Sequence, residues 1–194
     1  ASRFRGWQAG AREHRACLVA RELFFMEGKW AGEGHVLLNF MAPVQYKEET
    51  EFKVIRTEPV LVINIQQYTK HAETGAPMHA ENGFFKIFPG PSDRKVEAMY
   101  SHPFSLNEFE FGTFNPVDAE TGGPKMVLEA NEEKHFQRAA VPTDDVSKAK
   151  LVTGLRREYF LDKDGKLNYN VYLAVGQGGQ PLKHHLVCKL SRVE

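Results

Sequence analysis

The 194 residues fit one domain of ordinary size and are enough to bury a substantial apolar core. Lys and Arg total 25 and Asp and Glu total 25, so the formal net charge is zero and nothing draws in a nucleic-acid backbone by counterion release. No apolar run approaches the ~20 residues of a membrane helix, and the two cysteines, Cys17 and Cys188, lack the spacing of a disulfide framework or a thiolate zinc site.

Residues 1 to 22 hold five arginines and no continuous apolar segment, so no secretory peptide is read there. A reducing, cytoplasmic location is expected, extending to the nucleus. From 12 to 26, Ala16, Val19, Leu23 and Met26 recur at spacings of three and four, which predicts a short helix acting as a plug or lid. Residues 1–22 are read as an N-terminal extension and 23–194 as the main domain. From Trp30 onward, period-two alternation broken by Gly, Pro, Asn and Asp predicts strands at 30–41, 45–56, 60–69, 83–88, 95–102, 106–112, 124–130, 150–161, 166–175 and 183–192. Turn chemistry separates them at Thr57-Glu58-Pro59, Pro89-Gly90-Pro91-Ser92 and Asp162-Lys163-Asp164-Gly165. No intervening stretch has the helical period of a βαβ unit, so the fold class is all-β, a ten-stranded antiparallel barrel. The polar stretch 129–148 reads as a long surface loop. A barrel of this size keeps room for a small or medium ligand in its lumen.

Eight histidines stand at His14, His35, His71, His79, His102, His135, His184 and His185, and none forms an HExxH or HxH pattern with a nearby third ligand. No serine sits in a GxSxG elbow, and Gly176-Gln177-Gly178-Gly179 lacks the Lys and Ser/Thr of a phosphate loop. Nucleophilic and phosphoryl-transfer catalysis are set aside on that basis.

An ordered set of motifs carries more information. Gly28-Lys29-Trp30-Ala31-Gly32-Glu33-Gly34 opens the first strand, followed by Tyr46-Lys47-Glu48-Glu49, then Pro77-Met78-His79-Ala80-Glu81-Asn82-Gly83-Phe84-Phe85-Lys86, then Val96-Glu97 and Gly112-Thr113. Arg157, Leu167-Asn168-Tyr169 and Pro181-Leu182-Lys183-His184-His185-Leu186 complete the series. From about residue 23 to the C-terminus this resembles the nitrobindin family, haem-binding ten-stranded barrels shaped like fatty-acid-binding proteins.

The resemblance implies haem b at the open end of the barrel, with His185 as the iron ligand. Strand alternation competes with it, because Leu186, Cys188 and Leu190 share the more apolar face and would turn His184 inward unless a bulge intervenes. Met78 and His79 match pocket-lining positions, His79 near the propionate side, where Arg157 is a further candidate to pair with carboxylates. The plainer reading of His79 and Glu81 is a polar pair ordering the start of the fourth strand. His102 and Leu173 match a polar and an apolar cavity position, and alternation puts Val96, Ala98 and Tyr100 on the face of His102. The chain departs from the family at Leu38-Asn39-Phe40-Met41, where nitrobindins usually read Tyr-Pro-Thr-Ile. Phe40 and Met41 thus take the distal Thr and Ile positions, and the larger Phe40 would crowd the sixth iron site.

The implied function is nitric oxide binding and isomerisation of peroxynitrite to nitrate, with a homodimer also compatible with the resemblance. Two alternatives stand beside it. One is a haem-free carrier of a fatty acid or other lipophilic molecule, with Phe40, Met41, Met78, Phe84 or Phe85, Met99 and Leu173 lining the lumen. The other is a barrel filled by its own side chains and serving as an interaction domain.

Overall fold

The computed structural model describes residues 25–37, 42–139, 151–176 and 179–193. In chain order the strands are β1 (Gly28–Val36), β2 (Val44–Arg56), β3 (Leu61–His71), β4 (Pro77–Ile87), β5 (Arg94–His102) and β6 (Leu106–Asn115), followed by β7 (Lys125–Ala130), β8 (Phe136–Arg138), β9 (Val152–Leu161), β10 (Leu167–Val175) and β11 (Lys183–Val193). Ten of them form a closed antiparallel barrel in the order β5-β4-β3-β2-β1-β11-β10-β9-β7-β6, with β6 pairing back on β5. Closure leaves no free sheet edge around the barrel. β8 adds three residues beside the start of β6.

Each of the ten predicted strands has its counterpart, with shifted ends. β1 ends at Val36, and residues 38–41 lie outside the described residues. β4 starts at Pro77 rather than 83, because the β3–β4 hairpin is tied to its tip: His71 N–H donates to the Ala76 carbonyl at 2.8 Å and His79 N–H to Thr69 Oγ1 at 2.9 Å. The predicted loop 129–148 is ordered in its first half. Glu129 and Ala130 belong to β7, Glu133–His135 form a single 3-10 turn, and Phe136 is buried at the head of β8. His135 Nδ1 accepts the Asn131 and Glu132 backbone N–H groups, and Arg138 donates to the Val152 carbonyl at 2.7 Å. Residues 140–150 lie outside the described residues.

The predicted helix 12–26 and the extension 1–22 also fall outside them, except Phe25 and Met26, which form a turn. Trp30 Nε1 donates to the Met26 carbonyl at 2.7 Å and Arg192 Nη2 to that of Phe25 at 3.2 Å, while the Phe25 ring stacks on Phe114 at 5.6 Å. These two residues therefore pack into the core at the β1 start, the end of the barrel away from Val36.

Inward positions define two compartments. Trp30, Phe52, Ile63, Ile65, Phe85, Val96, Phe114, Met126, Leu128, Leu167 and Leu190 are all 2 % exposed or less and fill one half of the barrel. Burying such a side chain contributes roughly 1.5–3 kcal/mol each, which makes this half the main source of stability. Along the same strands toward the other end, the inward residues turn polar: Glu48, Thr50, Gln67, Thr69, Glu81, His102, Glu108, Glu110 and Arg157. No helix among the described residues is long and apolar enough to cross a membrane.

Candidate functional site

Above the polar layer lies a cavity of about 330 Å³, within the ~300–1,000 Å³ range of ligand pockets. Met78, His79, His102, Arg157, Leu173 and His185 all line it, together with Val36, Phe104, Val171 and Leu186. Six of the eight residues expected from the sequence are thereby brought to one place. The other two, Phe40 and Met41, lie outside the described residues.

The direction of His185 is decided by backbone register. Val171 on β10 pairs with Leu186, yet the next residue, Tyr172, pairs with His184, so His185 is one extra residue on β11. This bulge breaks the pleat. Leu186 and His185 both line the cavity, while His184 is exposed and stacks on the outer face of Tyr172 at 4.7 Å. The bulge that alternation called for is present, and it places His185 rather than His184 on the wall of this cavity. Among the described residues no hydrogen bond occupies its ring nitrogens. Burial, then the neighbouring His184, holds the His185 imidazole below its ordinary value and so favours the neutral form.

The floor of the cavity is a buried ionic cluster. Arg157, 3 % exposed, donates from Nη1 to Glu81 Oε2 at 2.9 Å, its Nη2 lies 3.5 Å from Glu108 Oε2, and its Nε lies 3.2 Å from Glu110 Oε1. The guanidinium also covers the Tyr100 ring at 4.2 Å. Three carboxylates thus share one cation. Burial works to raise Glu81, but Arg157, the His79 hydrogen bond and His102 outweigh it and hold its carboxyl well below the usual range. Burial, opposed by Arg157 and reinforced by Glu108 and Glu81, pushes the Glu110 carboxyl above its ordinary value. His79 Nε2 sits 2.9 Å from Glu81 Oε1, the polar pair read from the sequence, and 3.3 Å from His102 Nδ1. Arg157 is engaged by protein carboxylates; this makes it a structural floor to the pocket.

A second buried group lies around Glu48. Tyr169 donates a short hydrogen bond to Glu48 Oε2, Thr50 donates to Oε1 at 2.6 Å, and Gln67 Nε2 donates to the Tyr169 hydroxyl at 2.9 Å. Burial pushes Glu48 up to about 7 against these hydrogen bonds. Burial and then Glu48 raise Tyr46, Tyr169 and Cys188 as well, keeping all three protonated. Gly34 makes room for this group, since a Cβ there would meet the Tyr46 ring at 2.3 Å.

Glu48, Glu108 and Glu110 were missed in the sequence as buried acids, whereas Glu81 was read there as a polar pair with His79. In β6 the pattern Glu108-Phe109-Glu110-Phe111 would put the phenylalanines inside, whereas Phe111 is 42 % exposed and Glu110 is fully buried. The one available signal was Arg157, an arginine at an inward position of a strand facing them.

Several expectations for the alternatives fail on geometry. Phe84 and Met99 face outward, and Phe85 belongs to the filled half, so a carrier lumen retains only Met78 and Leu173 of its expected described lining. The cavity itself contradicts a barrel filled throughout. His35 is exposed on β1, as a strand-end histidine facing water. For a haem the donor set is suitable: a half-buried imidazole on a strand, free of hydrogen bonds among the described residues, within apolar walls of Val36, Val171, Leu173 and Leu186.

The family model described as the THAP4-like, heme-binding beta-barrel domain matches residues 20–192. The chain is 33% identical over 165 residues to peroxynitrite isomerase 2 of Mycobacterium marinum, covering 85% of this chain and 89% of that protein. It is 32% identical over 166 residues to peroxynitrite isomerase 1 of Mycobacterium tuberculosis, with the same coverage. The crystal structure of Rv2717c from M. tuberculosis superposes with a TM-score of 0.68 at 29% identity, covering 90% of this chain and 96% of that one. With a family match across nearly the whole chain and a closed ten-stranded barrel to hold it, the protein belongs to the THAP4-like heme-binding β-barrel domain family, the nitrobindins.

Proposed function

We propose that the chain binds haem b through His185 and isomerises peroxynitrite to nitrate, with nitric oxide as a further ligand. The observation that carries this reading is the β11 bulge, which turns His185 into the cavity and His184 out of it. The named peroxynitrite isomerases among the relatives support the reaction, and the family description supports the cofactor. When bound, the haem supplies a Lewis-acidic iron that polarises an oxygen of the anion.

The chain's own contribution is positional. His185 presents its ring from a strand paired on both sides, to β1 and to β10, so the nitrogen is held without a mobile loop. Val36, Val171, Leu173 and Leu186 keep water from the ligand, and Met78, 43 % exposed, stands on the cavity wall. The Glu81–Arg157–Glu108 floor limits the depth to which a planar ligand can enter.

Hemin titration followed by the Soret band tests the reading. One haem per chain is expected, with the band lost or displaced in His185→Ala and kept in His184→Ala. The loaded protein should then raise the yield of nitrate from peroxynitrite above that of buffer. A band indifferent to His185→Ala overturns the ligand, and no haem uptake at all overturns the function.

A further inference from the structure

The floor of the cavity holds an arrangement that haem ligation does not use. His79 and Glu81, two residues apart on β4, share one inward face, and β5 ends beside them at His102, whose predecessor Ser101 pairs with Asn82. Three donor atoms converge there: His79 Nε2 and Glu81 Oε1 at 2.9 Å, His79 Nε2 and His102 Nδ1 at 3.3 Å, and His102 Nδ1 and Glu81 Oε1 at 3.9 Å. We propose that His79, Glu81 and His102 bind a divalent transition-metal ion of the zinc class, at a site distinct from the His185 position.

The spacing suits such an ion. Bonds of ~2.0–2.1 Å to nitrogen and oxygen in tetrahedral geometry place neighbouring ligand atoms about 3.3–3.4 Å apart. The three observed separations scatter around that value. Two imidazoles and one carboxylate favour zinc and its neighbours over magnesium or calcium, which take all-oxygen shells. All three residues line the cavity, so a fourth position is left to water or to a ligand in the pocket.

Two further observations point to a cation. His102 Nε2 lies 3.3 Å from Glu108 Oε2, and neither atom has a hydrogen-bond partner among the described residues. A metal on Nδ1 assigns the ring proton to Nε2, where it meets that carboxylate, the arrangement that orients metal-bound histidines. The charges agree. Glu81, Glu108 and Glu110 present three carboxyl groups to a single guanidinium, so acidic groups outnumber the cation that faces them. A dication offsets that excess.

The ligand residues are held in place before any ion arrives. Thr69 Oγ1 accepts the His79 N–H and donates to its carbonyl, Arg157 grips Glu81, and Phe104 stacks on His102 at 5.0 Å. Preorganisation of this kind limits the ordering cost of binding.

The test is titration of the haem-free protein with zinc chloride in a calorimeter, alongside cobalt(II) followed by visible absorption. One zinc per chain and an intense four-coordinate cobalt band are expected. His79→Ala should abolish stoichiometric uptake, and Glu108→Gln, which keeps all three ligands but removes the carboxylate facing His102 Nε2 and Arg157, should weaken it by about 10–100-fold. His184→Ala and His185→Ala should leave zinc uptake intact, which separates this site from exposed histidines and from the proposed haem ligand. If a variant does not fold, imidazole NMR of the unsubstituted protein decides, because zinc must move the His79 and His102 ring signals and leave those of His35 and His71. No uptake, a weak six-coordinate cobalt spectrum, or uptake lost with His184→Ala but not with His79→Ala would overturn the proposal.

Discussion

Toward the β1 start the barrel interior is packed with Trp30, Phe52, Phe85 and Phe114, whereas a few residues along the same strands the inward positions are Glu48, Gln67, Glu81 and Arg157. Both layers are buried and both belong to one closed sheet, yet they do opposite thermodynamic work. In the apolar half every inward group gains by leaving water. In the polar half each group loses hydration and recovers it only through a neighbour: Tyr169 and Thr50 for Glu48, Arg157 for Glu81 and Glu110. A filled, closed half thus carries enough surplus to hold charged groups around a hollow in the other.

The comparison is broken most severely in the filled half. Phe85 is fully buried between Phe52, Tyr100 and Tyr159, with ring centroids 5.8–6.2 Å away. Phe85→Ala is expected to lower the free energy of unfolding by about 3–5 kcal/mol, read from urea melts. The same melts should show no compensating gain in hemin affinity, because Phe85 does not line the cavity.

The next largest effect sharpens the polar half. Glu48 rises from its ordinary 4.5 to about 7 in the folded chain. At low pH both states are protonated and no penalty exists; as pH rises the unfolded chain ionises first, so stability falls through this window. The full loss is on the order of 3 kcal/mol. The groups facing Glu48 are Tyr169 from β10, Cys188 from β11, Thr50 on its own strand and, at longer range, Glu81 from β4. Glu48→Gln should flatten the slope of stability against pH between about 4.5 and 7, checked by melts across that interval. An unchanged slope would mean that Glu48 is not the group responsible.

The smallest effect belongs to the rim. Met78 is 43 % exposed and borders an existing cavity, so Met78→Ala should change stability by no more than about 0.5 kcal/mol. Its expected signature is a shift in the Soret band of the hemin-loaded protein rather than in the melt.

Much of this architecture could be read from the chain before folding. Strand alternation located all ten barrel strands because one face of each is buried against a common interior. Of the candidate residues named from the sequence, Met78, His79, His102, Arg157, Leu173 and His185 line one cavity. The polar floor was not legible in the chain. Glu108 and Glu110 invert the ordinary rule that acids face water, and the inversion depends on Arg157, 47 residues beyond Glu110 and on a strand separated from β6 by β7. Local pattern carries no record of such a partner. β8 and the turn before it escaped for a similar reason: Phe136 is the single apolar residue between Asn131 and Arg138, anchored by contacts made elsewhere.

The single added residue on β11 has a consequence for how this pocket can change. The chain presents two adjacent imidazoles, and which of them looks inward is governed by a count of peptide units between Leu186 and Lys183. Exchanging side chains at either position alters what is displayed but not which position faces the hollow. Deleting one residue would do the reverse: regular pleating would return, and the surviving histidine beside Leu186 would swing to the outside with Val187 and Lys189. A barrel of this kind can therefore lose its inward imidazole by the removal of one codon while keeping a histidine in its sequence.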